Sequence, residues 1–225
     1  LTTSLDMAKP DPASEAGRVD WMAILEKVLP KVDVFLPSVE EILYMLDRPF
    51  YDRLASAKGD IAEHLDGEDL SALADRMIGM GAAIVAVKLG EHGLYLRTAG
   101  ERRLQSMGGC TPENIGEWAG RELLATCYQV EVAGTTGAGD CTIAGFLAGL
   151  LKGLSPESAM RAAVAVGACN VERQDAVSGI PSWETVQRRI EAGWPKRANR
   201  LRLDGWRFHE EAELWIGPND GKITV

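Results

Sequence analysis

The sequence has 225 residues, of which 46% are hydrophobic and 25% charged, a composition that favours one folded domain and argues against disordered, collagenous and membrane proteins. With 24 basic and 33 acidic side chains the formal net charge is −9, which disfavours a broad surface for nucleic acid or an anionic membrane. No apolar run approaches the roughly 18 residues of a membrane-spanning helix, and no signal-peptide pattern is present.

The cysteines and the first residue bear on where and how the chain occurs. The four cysteines show no CxxC spacing, so we expect free thiols in a reducing cytoplasm rather than disulfides or a zinc site. The chain begins at Leu1 without a charged lead-in, and we interpret this start as a cut through a larger fold.

The first forty residues predict two short strands, each followed by a helix. We expect strands at 1–6 and 32–36, and an amphipathic helix over 21–29 that Pro30 stops. Ser38, followed three residues later by Glu41, forms a capping-box pattern. This pattern predicts that a helix begins after Ser38.

The middle of the chain predicts one strand that is buried on both faces. A polar stretch, 55–67, has no clear period and is expected to be exposed, and a helix is expected over 69–81. The continuous apolar run 83–87 is typical of a parallel sheet between two helix layers. The residues 94–96 then predict an antiparallel return strand, and 130–132 a further strand.

Two helices follow a glycine-rich turn in the second half. Apolar residues recur at i, i+3, i+4, i+7 and i+8 over 143–151, and 156–172 is apolar or small nearly all round. Strands that alternate with helices predict an α/β fold, a three-layer α/β/α arrangement with a mainly parallel central sheet. We divide the chain into a main α/β portion, 1–192, and a basic-aromatic extension, 193–225.

The extension offers two interpretations. Lysine and arginine side chains alternate with Trp194, Trp206 and Phe208, a pattern found in single-stranded nucleic-acid binding. The same segment holds three glutamates, which favours a hairpin over 201–216 that packs on the same domain. We therefore expect no nucleic-acid partner and no membrane partner.

The glycine turn before the first of these helices carries the strongest chemical signal. Gly137, Ala138 and Gly139 leave backbone N–H groups unshielded at a helix N-terminus, where an anion such as phosphate is favoured. Asp140 follows directly, and a carboxylate there would repel a phosphate unless it took a proton from an attacking hydroxyl. An acid stabilised by the helix dipole, by about 0.3–1 kcal/mol, explains Asp140 equally well from the turn chemistry alone.

The stretch from Thr135 to Phe146, TTGAGDCTIAGF, closely resembles the C-terminal signature of the ribokinase-like (PfkB) carbohydrate kinase family. The resemblance implies an anion hole at Gly137, Ala138 and Gly139, and Asp140 as the general base that activates a sugar hydroxyl. It also implies ATP and Mg²⁺ as cofactors. Gly134 stands where many members carry an aspartate beside a monovalent-cation site, so the resemblance gives no support for such a cation.

Two further stretches are similar to family elements in the same order. The run 87–93, VKLGEHG, resembles the strand and turn that lie against the nucleotide, which assigns Lys88, Gly90 and Gly93, with Thr136 of the signature, to nucleotide binding. A plain β-turn explains such a turn as well. Glu41 takes the place of the family glutamate that holds magnesium through water, but Ser38 replaces the usual asparagine, and a plain helix cap is the alternative.

Other candidate site residues have less support from the sequence. Asp6 is left out of the core site because Met7, Ala8 and Lys9 do not reproduce the usual neighbours. His92 is expected to be a histidine of a surface turn, and the three histidines form no metal cluster or Ser/His/Asp arrangement.

The sequence thus predicts an ATP-dependent sugar kinase that lacks the N-terminal sugar-binding and lid portion. The alternative is a kinase-like sensor or scaffold that binds a nucleotide or sugar without catalysis. The sugar, the hydroxyl and the formation of a homodimer are left open.

Overall fold

A computed structural model of the chain describes residues 1–222. Its centre is a seven-stranded sheet in the order β1-β2-β3-β4-β5-β7-β6. The strands are β1 Ser4–Leu5, β2 Val34–Phe35, β3 Ile84–Lys88, β4 Leu94–Thr98, β5 Glu122–Ala125, β6 Arg207–His209 and β7 Leu214–Ile216. The pairs β1–β2 and β2–β3 are parallel, whereas every pairing from β3 to β6 is antiparallel.

The helices lie on both faces of this sheet. They are α1 Trp21–Val28, α2 Val39–Leu46, α3 Arg48–Ala55, α4 Gly67–Gly79, α5 Glu101–Gln105, α6 Ile115–Trp118, α7 Ala138–Leu151, α8 Pro156–Val171 and α9 Trp183–Glu191. The apolar residues of α1 to α4 form one core cluster, and those of α5 to α9 form the other. No helix within residues 1–222 has the length and apolar character to cross a membrane.

Strand β3 shows how the sequence builds the two layers. Ile84 and Ala86 belong to one core cluster, while Val85 and Val87 belong to the other, and all four are buried. Successive side chains of a strand point to opposite faces, so a continuously apolar strand is needed where helices cover both faces. The predicted α/β class with two helix layers is confirmed, with parallel pairing confined to β1, β2 and β3.

The two long helices after the glycine turn pack closely because they meet through small residues. A Cβ on Gly145 would lie 2.9 Å from the Cα of Ala163, and a Cβ on Gly149 would lie 3.0 Å from the Cα of Ala159. Both would be closer than ordinary van der Waals contact. Helices α7 and α8 therefore pack directly against each other along their glycine and alanine residues.

Two local predictions are wrong. Residues 130–132 form no strand, and the strand lies upstream, at Glu122–Ala125, where its partners β4 and β7 are available. Strand formation follows such pairing more than local β propensity. The stretch 55–67 is not wholly exposed, because Ile61, Ala62 and Leu65 are buried under α2 and α3.

The described part of the C-terminal segment extends the sheet as a hairpin. Strand β7 pairs with β5 on one side and β6 on the other. The buried carboxylate of Glu122 accepts hydrogen bonds from Tyr95 Oη at 2.9 Å and from the Asn219 N–H at 2.8 Å. The side chain of Arg121 donates to Asp220 at 2.8 Å. These buried bonds tie the end of the described chain to the central sheet.

Candidate active site

Three residues converge at one edge of the sheet because β1, β2 and β3 run parallel. Asp6 follows β1, Ser38 follows β2, and Lys88 is the last residue of β3. The N–H of Lys88 donates to the carbonyl of Pro37 at 2.9 Å, which continues the pairing beyond β2. The carboxyl ends of parallel strands are where α/β proteins bind ligands.

The ammonium of Lys88 is held at this edge beside the start of α7. Its Nζ donates to Asp6 Oδ1 at 2.7 Å, and the side chain is only 13% exposed. A Cβ on Gly139 would lie 3.8 Å from Nζ, so the ammonium reaches the glycine turn. A positive charge beside a helix N-terminus is unfavourable without an anion between or next to them.

The start of α7 has the unshielded backbone that the sequence predicts. Gly137 is the N-cap residue, with φ of 77° and no side chain to cap the helix. Among the described residues, the N–H groups of Gly139 and Asp140 find no hydrogen-bond partner. Asp140 lies in the first turn of the helix and is exposed. Free N–H groups at a helix start are suited to a phosphate.

Glycine is required at Gly137 by the loop that follows α8 as well as by its backbone angle. A Cβ there would lie 2.9 Å from the Cβ of Ala176. At Gly134 a Cβ would lie 2.9 Å from the Cα of Gln174, so a side chain has no space at this position. Asn170, buried at the end of α8, holds the loop by donating to the carbonyl of Ala176 at 2.7 Å.

The turn between β3 and β4 is also fixed by packing. Gly93 has φ of 113°, and a Cβ there would lie 1.9 Å from the carbonyl oxygen of Ala125. The backbone of the turn is closed by hydrogen bonds from Leu89 N–H to Gly93 and from His92 N–H to Leu89. The expectation that His92 lies at the surface is wrong, because it is 5% exposed.

A cleft of about 320 Å³ brings many of these residues together. Of the predicted site residues, the cleft is lined by Lys88, Gly90, Gly93, Ala138 and Gly139. Thr135 lines it in place of Thr136, and neither Asp140 nor Glu41 is part of its wall. Its remaining surface is largely apolar, with Val130, Val132, Val164, Ala168 and Val171.

The apolar side of the cleft is suited to a flat ring. Val164, Gly167, Ala168 and Val171 lie on one face of α8 because their spacing follows the helical period. The cationic end, with Lys88 and the start of α7, lies in the same cleft. An apolar wall with a few convergent polar groups is typical of a small-molecule site.

Two charged residues of the cleft were missed by sequence reasoning. Arg197 and Glu91 both line it, and Arg197 Nη2 donates to Glu91 Oε2 at 2.6 Å. The backbone N–H of Arg197 donates to the carbonyl of Cys127 at 2.8 Å, which fixes its position. Burial raises the pKa of the Cys127 thiol to about 11, so this cleft cysteine is a neutral thiol at physiological pH.

Glu41 lies near this edge but is engaged in the predicted capping box. Its Oε2 accepts from the Ser38 N–H at 2.6 Å, and its own N–H donates to Ser38 Oγ. Ser38 in turn forms a bridge with Lys88. This bridge joins the backbones of Ser38 and Lys88, and the second carboxylate oxygen of Glu41 has no partner in the described chain.

The basic-aromatic segment is occupied by contacts within the chain. Arg197 and Arg200 pair with Glu91, and Arg202 pairs with Asp66. The ring of Trp194 stacks on Tyr128 at 4.5 Å, and Trp206 packs against Tyr95. These arginine and tryptophan side chains are thus engaged by intramolecular contacts.

Comparison with known proteins identifies the family. Residues 10–183 match the model of the pfkB family carbohydrate kinases. The chain is 32% identical over 170 residues to an uncharacterized sugar kinase of Archaeoglobus fulgidus, which covers 76% of this chain and 50% of that protein. It is 32% identical over 125 residues to 2-dehydro-3-deoxygluconokinase of Bacillus subtilis, covering 55% of this chain and 33% of that protein.

Solved structures show the same fold. A ribokinase from Thermotoga maritima has a TM-score of 0.52 at 21% identity, covering 84% of this chain and 49% of that chain. A putative ribokinase II from E. coli, solved in complex with ATP and Mg²⁺, has a TM-score of 0.51 at 22% identity, covering 76% and 43%. The predicted ribokinase-like fold is confirmed, and the chain spans about half the length of the curated relative it matches over 170 residues. The chain belongs to the PfkB family of carbohydrate kinases.

Proposed function

We propose that this chain carries the nucleotide and phosphoryl-transfer side of an ATP-dependent carbohydrate kinase. In this proposal the γ-phosphoryl of Mg-ATP passes to a sugar or nucleoside hydroxyl. The observation that carries it is the meeting of the Lys88 ammonium with the unpaired N–H groups at the start of α7, in a cleft whose other side is apolar. A nucleotide has that combination of an anionic end and a flat ring.

The roles of the residues follow from their places. The N–H groups of Gly139 and Asp140 donate to the oxygens of the transferred phosphoryl, and Gly137 to Gly139 shape the anion hole. Lys88 supplies a cation to the same oxygens, and Asp6 keeps that cation at the sheet edge while the cleft is empty. Gly90 and Gly93, with Thr135 in place of Thr136, complete the nucleotide side.

Asp140 is the proposed base. Its carboxylate is exposed in the first turn of α7, outside the wall of the nucleotide cleft, so an acceptor hydroxyl can approach it from the open side. It takes the hydroxyl proton as the oxygen attacks the phosphoryl. The position between the anion hole and the open side is what a general base needs.

The residues present fit a magnesium ion. Mg²⁺ keeps several waters and needs one or two carboxylates besides the phosphates, and the free oxygen of Glu41 is available at this edge. When bound, Mg²⁺ would neutralise charge on the phosphates. Glu41 would hold it through water while its other oxygen keeps the helix capped.

Location and organisation belong to the same proposal. Free thiols and the use of ATP fit the cytoplasm. Residues 193–225 are proposed as an extension of the catalytic portion 1–192; its residues 193–222 pack on that portion, and 223–225 lie outside the described residues.

The test uses a protein with turnover, either this chain or the longer protein that contains it. Asp140→Asn is expected to lower kcat by about 10²–10⁴, the usual contribution of a general base, while ADP binding measured by calorimetry stays unchanged. Glu113→Gln, at an exposed position outside the cleft, serves as the control. Nearly normal turnover by Asp140→Asn would remove Asp140 as the base.

A second function is favoured by the lack of space at Gly134, where many family members carry an aspartate. In this alternative the chain binds a nucleotide or sugar without turnover, as a sensor. ADP release measured over a panel of sugars, together with ATP binding, separates the two. Binding without turnover on any sugar supports the sensor.

A further inference from the structure

Two acidic side chains and one histidine meet beside the turn that follows β3. Glu63 comes from the short helical turn 61–64, whereas Glu91 and His92 come from the turn 90–92. One carboxylate oxygen of each glutamate and one ring nitrogen of His92 all lie within 4.8 Å of one another. Three donor atoms from two chain segments at this separation can close on one ion by side-chain rotation.

His92 is the part of the cluster that packing alone does not explain. It is 5% exposed, and its Nε2 has no hydrogen-bond partner anywhere in the described chain. Leaving a buried polar atom unpaired costs about 1–3 kcal/mol, so such atoms usually have a partner. Backbone hydrogen bonds close the turn that carries His92, and the burial of the side chain makes it a confined donor rather than a mobile surface group.

Both glutamates form ion pairs with arginines. Glu91 pairs with Arg197 at 2.6 Å and also with Arg200, and Arg200 Nη1 lies 3.9 Å from Glu63 Oε1. These ion pairs show that the two carboxylates already attract cations. Both arginine side chains are more than one third exposed, and they can turn into water at little cost.

We propose that Glu63, Glu91 and His92 form a binding site for a divalent transition-metal ion such as Zn²⁺, and that the ion displaces Arg200 and Arg197 from the two carboxylates. One imidazole and two carboxylates form a ligand set found for zinc in proteins, with water at the fourth position. Mg²⁺ and Ca²⁺ prefer oxygen ligands alone. This site is separate from the magnesium role of Glu41, and it does not depend on kinase activity.

The first measurement is Zn²⁺ binding by competition with a chromophoric chelator, using the whole chain without nucleotide. We expect one equivalent of Zn²⁺ to bind, and Glu63→Gln and His92→Gln each to weaken binding at least tenfold. His64→Gln is the matched control, because His64 is in the same turn as Glu63 but its Nε2 contacts the carbonyl of Lys58 at 3.0 Å. Glu63 is exposed enough that its variant should fold even if the His92 variant does not.

The second measurement separates this site from adventitious zinc binding. Arg200→Ala removes the competing cation and is expected to tighten Zn²⁺ binding by about threefold or more, an effect that a site elsewhere would not show. With Co²⁺ we expect d–d absorption without a thiolate charge-transfer band. The proposal is overturned if no Zn²⁺ binds, if both donor variants bind like the wild type, or if a thiolate band shows that cysteines hold the ion.

Discussion

The cleft edge, where the end of β3 meets the start of α7, and the C-terminal segment, residues 193–222, acquire their positions in different ways. At the cleft edge, positions such as Gly137 and Lys88 are set by a local strand, turn and helix, and the residues lie within the family match at 10–183. In the C-terminal segment, Arg197 and Lys196 gain their positions only by pairing with residues far away in sequence, such as Cys127 and Tyr128. Sequence motifs therefore predict the cleft edge, whereas the position of the C-terminal segment is seen only in the folded structure.

The largest effect on activity is expected at Gly137, where both the backbone angle and the packing require glycine. Gly137→Ala places a Cβ against Ala176 in a backbone with φ of 77°, which shifts the N–H groups of the proposed anion hole. We expect kcat to fall by about 10²–10³, comparable to the loss of one oxyanion donor. Steady-state kinetics with the complete enzyme measures this.

Gly116→Ala is the matched control for that change. In the described structure a Cβ at Gly116 meets no atom within 4 Å, and its φ is not positive, so its activity should equal that of the wild type. Turnover of Gly137→Ala within threefold of the wild type would contradict the anion hole. A urea titration of both variants checks that each is folded.

The next largest effect on activity is expected from removing the Lys88 ammonium at the cleft edge. Lys88→Met keeps most of the apolar stem and removes the charge, so kcat/KM for ATP should fall about 10- to 100-fold, since a charge-assisted hydrogen bond contributes about 1.5–3 kcal/mol. Lys9→Met is the control, because Lys9 pairs with Glu40 at the exposed surface. Equal losses in the two variants would mean that Lys88 acts only through general surface charge.

The C-terminal segment should contribute less to the same cleft. Arg197 lines the cleft and Arg200 does not, although both pair with Glu91. We expect Arg197→Ala to weaken ADP binding about fivefold, a modest effect because its ion pair is partly exposed. In Arg200→Ala the affinity should change less than twofold, and calorimetry compares the two. Equal affinities for Arg197→Ala and the wild type would place the segment outside the nucleotide site.

Much of the fold follows from the sequence because its signals are local. The run of buried residues in β3, the capping box of Ser38 and Glu41, and the small residues of α7 and α8 each predict an element that the structure confirms. The strand β5 could not be found this way, because Glu122 and its short apolar run acquire strand geometry from β4 and β7. Pairing between distant segments leaves no local period to detect.

The residues of the candidate site were likewise predictable only where the sequence signal is local. The glycine turn predicts its own unpaired N–H groups, since they depend on a few adjacent residues. The approach of Asp6 to Lys88 and the burial of His92 depend on strand order and on residues far along the chain. The only sequence signal for Asp6 is its place at the end of a strand, and Arg197 has none that separates it from its basic neighbours.

The last prediction concerns stability rather than activity, and it tests how tightly the C-terminal segment is packed. Lys196 lies with Nζ 4.9 Å from the centre of the Tyr128 ring, and within residues 1–222 that buried nitrogen has no hydrogen-bond partner. Burial lowers the pKa of Lys196 from 10.5 to about 8. The unfolded chain therefore holds this proton more tightly between pH 8 and 10.5, so the penalty on folding is complete below pH 8 and is relieved as the pH rises through that range.

Lys196→Met should therefore stabilise the protein at pH 7, by roughly 1–2 kcal/mol, because a pKa unit corresponds to about 1.4 kcal/mol and the cation–π contact offsets part of the cost. The advantage should shrink as the pH rises to 10, which urea unfolding at several pH values measures. Lys152→Met is the control, since Lys152 lies over Trp183 at 5.3 Å but is exposed, and its stability should stay within about 0.5 kcal/mol of the wild type. If Lys196→Met were less stable than the wild type at pH 7, the ammonium would be solvated, and the C-terminal segment would be loosely packed around Tyr128.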